Sequence, residues 1–363
     1  MNAFRALAFA LLLAACGGGS KQAAVPALAP ANPAAVSKLA QGVDAAKSKD
    51  GRKHAIELLQ KAVEADAQLW EGRYNLGVLL AESGDLTAAE KQLAEAHRLA
   101  PNAEDVVVAL GEVRRRLGDF DGAADVLFAF VKANPQATLA RTALVTSLRE
   151  AGDIDKAIVE AQGALIRNAS DPYALSELAL AQLERGEIDT AELLSKEALK
   201  ATPPRAVAER TAGLIALKRG DDAIAFRHFQ RAGELDPEDT TARSNIGVVL
   251  LRAGVYDRAA IELKAVVDAD PDDTDAAVAL AAALRGKAKR DNVAGFGESE
   301  RLLKGVLERE PKNVSALFNL AVLYADYMKR PNEAEPLFKR FLSAAPDKHP
   351  ARAEAERFLS AKK

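Results

Sequence analysis

Six glycines recur at one interval along this chain: Gly84, Gly118, Gly152, Gly186, Gly220 and Gly254, each 34 residues after the one before. Two more ladders keep the same step. One is Ala55, Ala89, Ala123, Ala157, Ala191, Ala225 and Ala259; the other is Pro101 and Pro135, then Pro203, Pro237 and Pro271. Self-similarity at such a period specifies stacked units, each burying its apolar face only against its neighbours. A stack grows by adding units, so the 363 residues read as one elongated domain rather than several separate cores.

Between the ladders the apolar spacing is helical. Trp70, Tyr74, Leu76, Val78, Leu79 and Leu80 form one apolar set; Leu86, Ala89, Leu93, Ala96 and Leu99 form the next, after Ser83-Gly84-Asp85. The recurrence predicts two amphipathic helices joined by a tight turn. Glycine there suits a left-handed helix end. The following Asp85, Asp119, Asp153 and Asp221 are placed to accept bonds from the free amides of the second helix. The prolines cannot continue a helix interior and so separate one unit from the next.

These residues resemble the tetratricopeptide repeat (TPR) family, whose pattern runs W-x2-L-G-x2-Y, A-x3-F, then Pro. Arg73-Tyr74-Asn75-Leu76-Gly77 with Leu80, Ala89, Leu93, Ala96 and Pro101 fit it, apart from Arg73 in the Trp place. Leu317, Leu320, Ala321, Tyr324, Ala334, Phe338 and Pro346 fit it in a later unit. The resemblance implies an all-α, right-handed superhelical solenoid over residues 34–363. Its eight to nine units run 36–69, 70–103, 104–137, 138–171, 172–205, 206–239, 240–273, 274–313 and 314–348. A polar-sided helix, Pro350–Ala361, would close it as a cap. Unit 274–313 is six residues longer than the standard 34, and the surplus is expected around Arg285–Gly297 as a flexible loop on one edge of the solenoid; the alternative is a docking loop that offers Arg285, Lys287, Lys289, Arg290 and Phe296 to an acidic partner.

The amino terminus supplies a location. Arg5 precedes a short apolar run, Ala6–Leu13, which reads as an export signal over residues 1–15 and is too short to span a bilayer. Leu13-Ala14-Ala15-Cys16 looks like a bacterial lipobox, with Cys16, the sole cysteine, as the lipidated first residue of the mature protein. Several acyl chains on one cysteine anchor a protein stably where a single chain does not. Gly17 rather than Asp after that cysteine implies the outer membrane, facing the periplasm, by resemblance to such lipoproteins. Residues 16–33 are the lipidated cysteine and a flexible Ala/Pro tether.

No catalytic constellation emerges. His54, His97, His228 and His349 lie in different units without metal-ligand spacing, and the formal charge of −3 lacks the basic field of a nucleic-acid binder. The chain is expected to be no enzyme, with no cofactor, metal, nucleic acid or small-molecule substrate. By resemblance the first helix of each unit lines a concave groove. The ninth and twelfth places of successive units hold Leu180 and Leu183, Leu214 and Leu217, Val248 and Leu251; Arg115, Arg149 and Arg285 bracket them. This strip suits an amphipathic or partly acidic peptide or helix; the alternative is that the leucines simply pack helix against helix. Arg210 and Asn245 match part of a carboxylate clamp whose other places, Leu214, Asp275 and Ala279, cannot serve.

The implied role is a non-catalytic scaffold in an envelope complex, held by its lipid anchor. The layout and the tail Ala344–Glu356 are similar to gliding-motility TPR lipoproteins. A pilotin-like assembly factor for a secretin and an activator of a cell-wall synthase are the alternatives.

Overall fold

The computed structural model describes residues 30–360 except 49, 238, 292 and 293, without the side chains of 289–294. The export signal, Cys16 and most of the tether lie outside the described residues. The chain divides into two compact units, Met1–Ala201 and Thr202–Lys363. Among the described residues every regular element is helical. The first unit pairs α1 (Pro33–Ala45) with α2 (Arg52–Ala65), α3 (Trp70–Glu82) with α4 (Leu86–Leu99) and α5 (Glu104–Arg116) with α6 (Phe120–Ala133). It continues with α7 (Thr138–Glu150) and α8 (Ile154–Arg167), then α9 (Pro172–Arg185) and α10 (Ile188–Ala198). The second unit pairs α11 (Ala206–Arg219) with α12 (Asp222–Leu235) and α13 (Thr240–Arg252) with α14 (Tyr256–Ala269). It ends with α15 (Thr274–Asp291) and α16 (Ala294–Arg309), α17 (Val314–Val322) and α18 (Pro331–Ala344), and the single α19 (Arg352–Ser360).

All six ladder glycines have positive φ, from 73° at Gly254 to 93° at Gly186. That backbone lets the next amide fold back onto the first helix: Asp119 N donates to Arg114 O at 2.9 Å and Val255 N to Leu250 O at 2.9 Å. The aspartates after the glycines divide in role. Asp85 accepts from Ala88 N at 3.1 Å and Asp119 from Gly122 N at 3.0 Å. Asp153 and Asp221 make no such side-chain cap; Asp153 instead accepts from Lys156 Nζ at 2.5 Å. Where the proline ladder is interrupted at Ala169, Asn168 Oδ1 accepts from Ser170 N at 3.3 Å, so a side-chain turn replaces the ring.

Every alanine of the ladder is fully buried, because a larger side chain would hold the two helices apart. The eighth place of a pair meets the twenty-fourth, and their volumes compensate. A Cβ on Gly77 would lie 2.6 Å from Leu93, on Gly111 2.7 Å from Leu127, on Gly213 2.5 Å from the Phe229 ring, and on Gly247 2.5 Å from Leu263. Where the eighth place is Val145, the twenty-fourth shrinks to Ala161, in the same apolar cluster. The fourth and twenty-third places are matched by polarity. Arg73 donates to Gln92 at 3.0 Å, Arg141 pairs with Glu160, Glu209 with His228 at 2.7 Å and Arg243 with Glu262 at 3.7 Å. Val107 and Val126 fill the same places with an apolar pair. The Trp place of the family pattern is thus taken over by cross-helix bonds.

The expected loop around Arg285–Gly297 is not there. The surplus lengthens α15 to 18 residues and α16 to 16. The glycine ladder ends before this pair: Ala288 stands where the turn glycine is due, so nothing stops the helix. Gly286 serves close approach instead, a Cβ there falling 2.4 Å from the Tyr256 ring. Phe296 is buried and meets Tyr327 edge-on at 5.6 Å, which removes it as a docking residue. The side chains of Lys289 and Arg290 lie outside the described residues. Tyr327 belongs to a π-helical turn, Leu323–Tyr327, that follows α17. Finally α19 closes the second unit: Ala355 is fully buried, Phe358 lies 4.7 Å from Phe338, and Arg352 donates to Leu342 O and Ala345 O, while Glu354, Glu356 and Arg357 are on its outer side.

Candidate binding surfaces

In the first unit α3 packs on α5, α5 on α7 and α7 on α9; in the second, α13 packs on α15 and α15 on α17. First helices therefore line the inner curve of each row, as the family resemblance implies. The residues expected at the groove fall in both units and are described separately.

In the first unit the inner face is a ladder of ion pairs. Arg115 pairs with Glu112 at 3.1 Å and with Glu150 of the next first helix. Arg149 bonds Glu177 at 3.3 Å and Glu184 at 2.5 Å, and reaches Glu150 at 3.8 Å. Burial opposes the charge on both guanidiniums, but the surrounding glutamates outweigh it and raise both pKa values. Four carboxylates face two arginines in this ladder, so the expected basic end is neutralised in place. Leu180 and Leu183 are on α9 beside it, Leu180 and Leu183 both half-buried.

In the second unit Leu214, Leu217, Val248 and Leu251 are half-buried on α11 and α13. Leu214 and Leu217 pack partly on the cluster of Ala216, Ala225, Phe229 and Val249, and Leu251 on that of Leu250, Leu263 and Leu280. The strip serves helix packing and keeps an accessible margin. On α15, Arg285 donates to Asn319 Oδ1 at 3.1 Å and lies 5.5 Å from the Tyr327 ring. No carboxylate pairs with it among the described residues, and burial holds its pKa below the usual arginine range. It is the groove arginine whose charge stays open to an anion.

The clamp reading is corrected for Arg210, whose guanidinium is taken by Asp239. Asn245 is half-buried on α13. Asn75 and Asn319, at the same place of their units, donate to the carbonyls of Glu71 at 2.7 Å and Ser315 at 2.9 Å, bonds inside their own helices. Burial pushes the Asp239 carboxyl up, but Arg210 and the bonds from Thr241 more than offset it, so its pKa falls below the usual range. A carboxylate depressed in the folded state stabilises above its unfolded pKa and loses that contribution as pH falls through its folded pKa. We expect Asp239→Asn to lower stability at neutral pH and to flatten the acid limb of a denaturation-against-pH curve.

The histidines take local roles. His228 sits against Glu209 at 2.7 Å, His349 Nδ1 accepts from Ala351 N, and His97 is half-buried with its pKa lowered by desolvation and then by Arg114. Among the described residues no three His, Cys, Asp or Glu side chains gather to hold a metal, and no helix is long and apolar enough to cross a membrane.

Sequence reasoning centred on the inner face missed an opening on the outer one. Between α6 and α8 lies a groove of about 690 Å3, floored by Ala124 and Leu148 and walled by Phe128 and Val159. A smaller one, about 460 Å3, lies between α16 and α18 beside Tyr324, whose hydroxyl donates to Glu300 at 2.7 Å.

Family models of the tetratricopeptide repeat match residues 39–104, 108–170 and 142–206, residues 214–284, and residues 315–348. Among solved structures, a chain of the APC/C hetero-tetramer Cut9–Hcn1 is similar with a TM-score of 0.62 at 14% identity, over 86% of this chain and 60% of that one. A thermophilic TPR protein of Thermus thermophilus aligns at 21% identity over 50% of this chain and 99% of its own, with a TM-score of 0.44. A tetratricopeptide repeat protein of Parabacteroides merdae aligns at 17% identity over 70% and 98%, with a TM-score of 0.47. The likeness to the Cut9–Hcn1 chain shows the helical-repeat fold and nothing finer. No curated protein matches the chain.

Proposed function

Because this chain belongs to the tetratricopeptide repeat family, we propose that it is a non-catalytic scaffold lipoprotein, anchored through Cys16 to the periplasmic face of an outer membrane, that organises protein partners in an envelope complex. Proteins of this family are generally scaffolds suited to protein–protein interaction. The observation that carries the reading is the strip Leu214, Leu217, Val248 and Leu251, half-buried rather than sealed, on the same inner face as Arg285. An amphipathic partner segment with an acidic side fits that chemistry: its apolar residues complete the burial and its carboxylate meets the guanidinium.

The lipobox-like run Leu13-Ala14-Ala15-Cys16 and Gly17 support the anchor and the outer membrane. The order of signal, Ala/Pro tether and repeat array favours gliding-motility machinery among envelope machines. The test is recovery of a tagged full-length chain from membranes, with partners identified by mass spectrometry. Envelope proteins should co-purify, Val248→Glu should lose them with helix content unchanged, and Cys16→Ala should release the chain from the membrane fraction. Loss of the gene product should stop surface movement while secretin multimers still assemble. Retention of Cys16→Ala in the membrane, or of every partner by Val248→Glu, would count against the reading. Failed secretin assembly would point to a pilotin, and an altered rate of a purified cell-wall synthase to an activator.

A further inference from the structure

We infer that the groove between the second helices α6 and α8 of the first unit is a second docking site and that it receives a cationic amphipathic helix from another protein. Exposed large apolar side chains concentrate in this stretch of the first unit. Phe128 is 50% exposed on α6, Val159 64% on α8 and Leu193 69% on α10. Val159 and Leu193 hold the same place of successive pairs, so with Phe128 they run as a ribbon across three second helices. Apolar side chains left open next to a concavity are the mark of a contact surface. The groove is lined from α6, α8 and the end of α7, whose buried Leu148 makes the floor.

The rim fixes the sign of the occupant. Five carboxylates line the groove, those of Asp121, Asp125, Asp153, Asp155 and Glu160, against the single cation Lys156. Three are held: Asp153 by Lys156 at 2.5 Å, Glu160 by Arg141, and Asp155 by Arg185 at 3.5 Å. Asp121 and Asp125, both exposed, have no cation within ion-pair distance among the described residues. Lys156, bonded to Asp153, also feels the charge of Asp121 and Asp125, so one lining cation is shared among several carboxylates and the rim stays net acidic. An apolar trough with such a rim complements a helix with leucine-type residues at i, i+3 and i+7 flanked by lysine or arginine. An acidic or neutral partner would leave this rim unpaired.

The test uses the full-length chain in detergent micelles and a labelled amphipathic Leu/Lys peptide about five turns long, roughly 18 residues at 3.6 per turn, read by fluorescence anisotropy. A Leu/Glu peptide of the same pattern is the charge control. Val159→Ser with Phe128→Ser should weaken Leu/Lys binding about tenfold or more, and Asp121→Lys with Asp125→Lys should weaken it similarly. Ile261→Ser, which removes an equally exposed residue (68%) at the same place of α14, should leave it unchanged. Should the serine pair disturb folding, the lysine pair still decides, since both aspartates are exposed. Equal binding of the Leu/Glu peptide, or unchanged binding by the lysine pair, overturns the proposal. Loss only in Val248→Glu would assign the peptide to the inner strip and likewise overturn it, without touching the scaffold reading.

Discussion

Phe229→Ala is expected to remove about 3–5 kcal/mol from the local stability of the second unit, the range for emptying a fully buried aromatic site. Phe229 has no exposed surface, and its ring lies where a Cβ on Gly213 would be 2.5 Å away. Gly213→Val should therefore also destabilise, by about 1–3 kcal/mol, through overpacking. The informative variant combines the two. Val145 opposite Ala161 already occupies these two places in the first unit, so Gly213→Val with Phe229→Ala should be less destabilised than the sum of the singles. In a repeat array stability is close to a sum of neighbouring terms, so hydrogen exchange over α11 and α12 is the appropriate measurement. Strictly additive losses would show that the two places do not pack on each other.

Arg149→Met should cost about 3–5 kcal/mol, because it strands a buried carboxylate rather than removing a surface charge. The Glu177 side chain is 6% exposed and Arg149 bonds it at 3.3 Å while also holding Glu184. Adding Glu177→Met should recover most of the loss, since two apolar side chains of similar volume replace a buried pair without an unpaired charge. Arg149→Lys should recover little, as an ammonium lacks the fork that reaches two carboxylates. Protection of α7 and α9 against hydrogen exchange reports the outcome. If Arg149→Met left protection intact and lost only a bound partner, Arg149 would be a ligand-gripping residue rather than a strut.

These two variants mark where sequence reading succeeds and where it stops. The glycine ladder located the turns because positive φ is a single-residue requirement, and the alanine ladder located the closest helix contacts for the same reason. Compensation between places is a relation between residues, visible only when Gly77 is read against Leu93, or Arg73 against Gln92. The arginines of the inner face looked like open charge because, beyond the local Glu112 and Glu150, the glutamates that complete their pairing lie in the next unit: Glu150 for Arg115, and Glu177 and Glu184 for Arg149. Arg285 falls on α15 as its place in the unit required, yet its freedom from a carboxylate follows from Asn319 and Tyr327 occupying its surroundings. The missing loop was legible in principle. Ala288 at a turn position forbids the stop that Gly84 or Gly254 provides, and the extra residues then have to extend the helices. The outer groove carried no signal along a single helix, since it arises from the spacing of α6 and α8.

The central claim, that the inner strip of the second unit holds a protein partner, is tested most directly by a photo-crosslinking amino acid at Val248 in intact cells. An adduct to a distinct envelope protein, absent when the same crosslinker sits at Ile261 on the outer layer, is the predicted result. Adducts at Val248 only within the chain itself, or the same products from both positions, would contradict it.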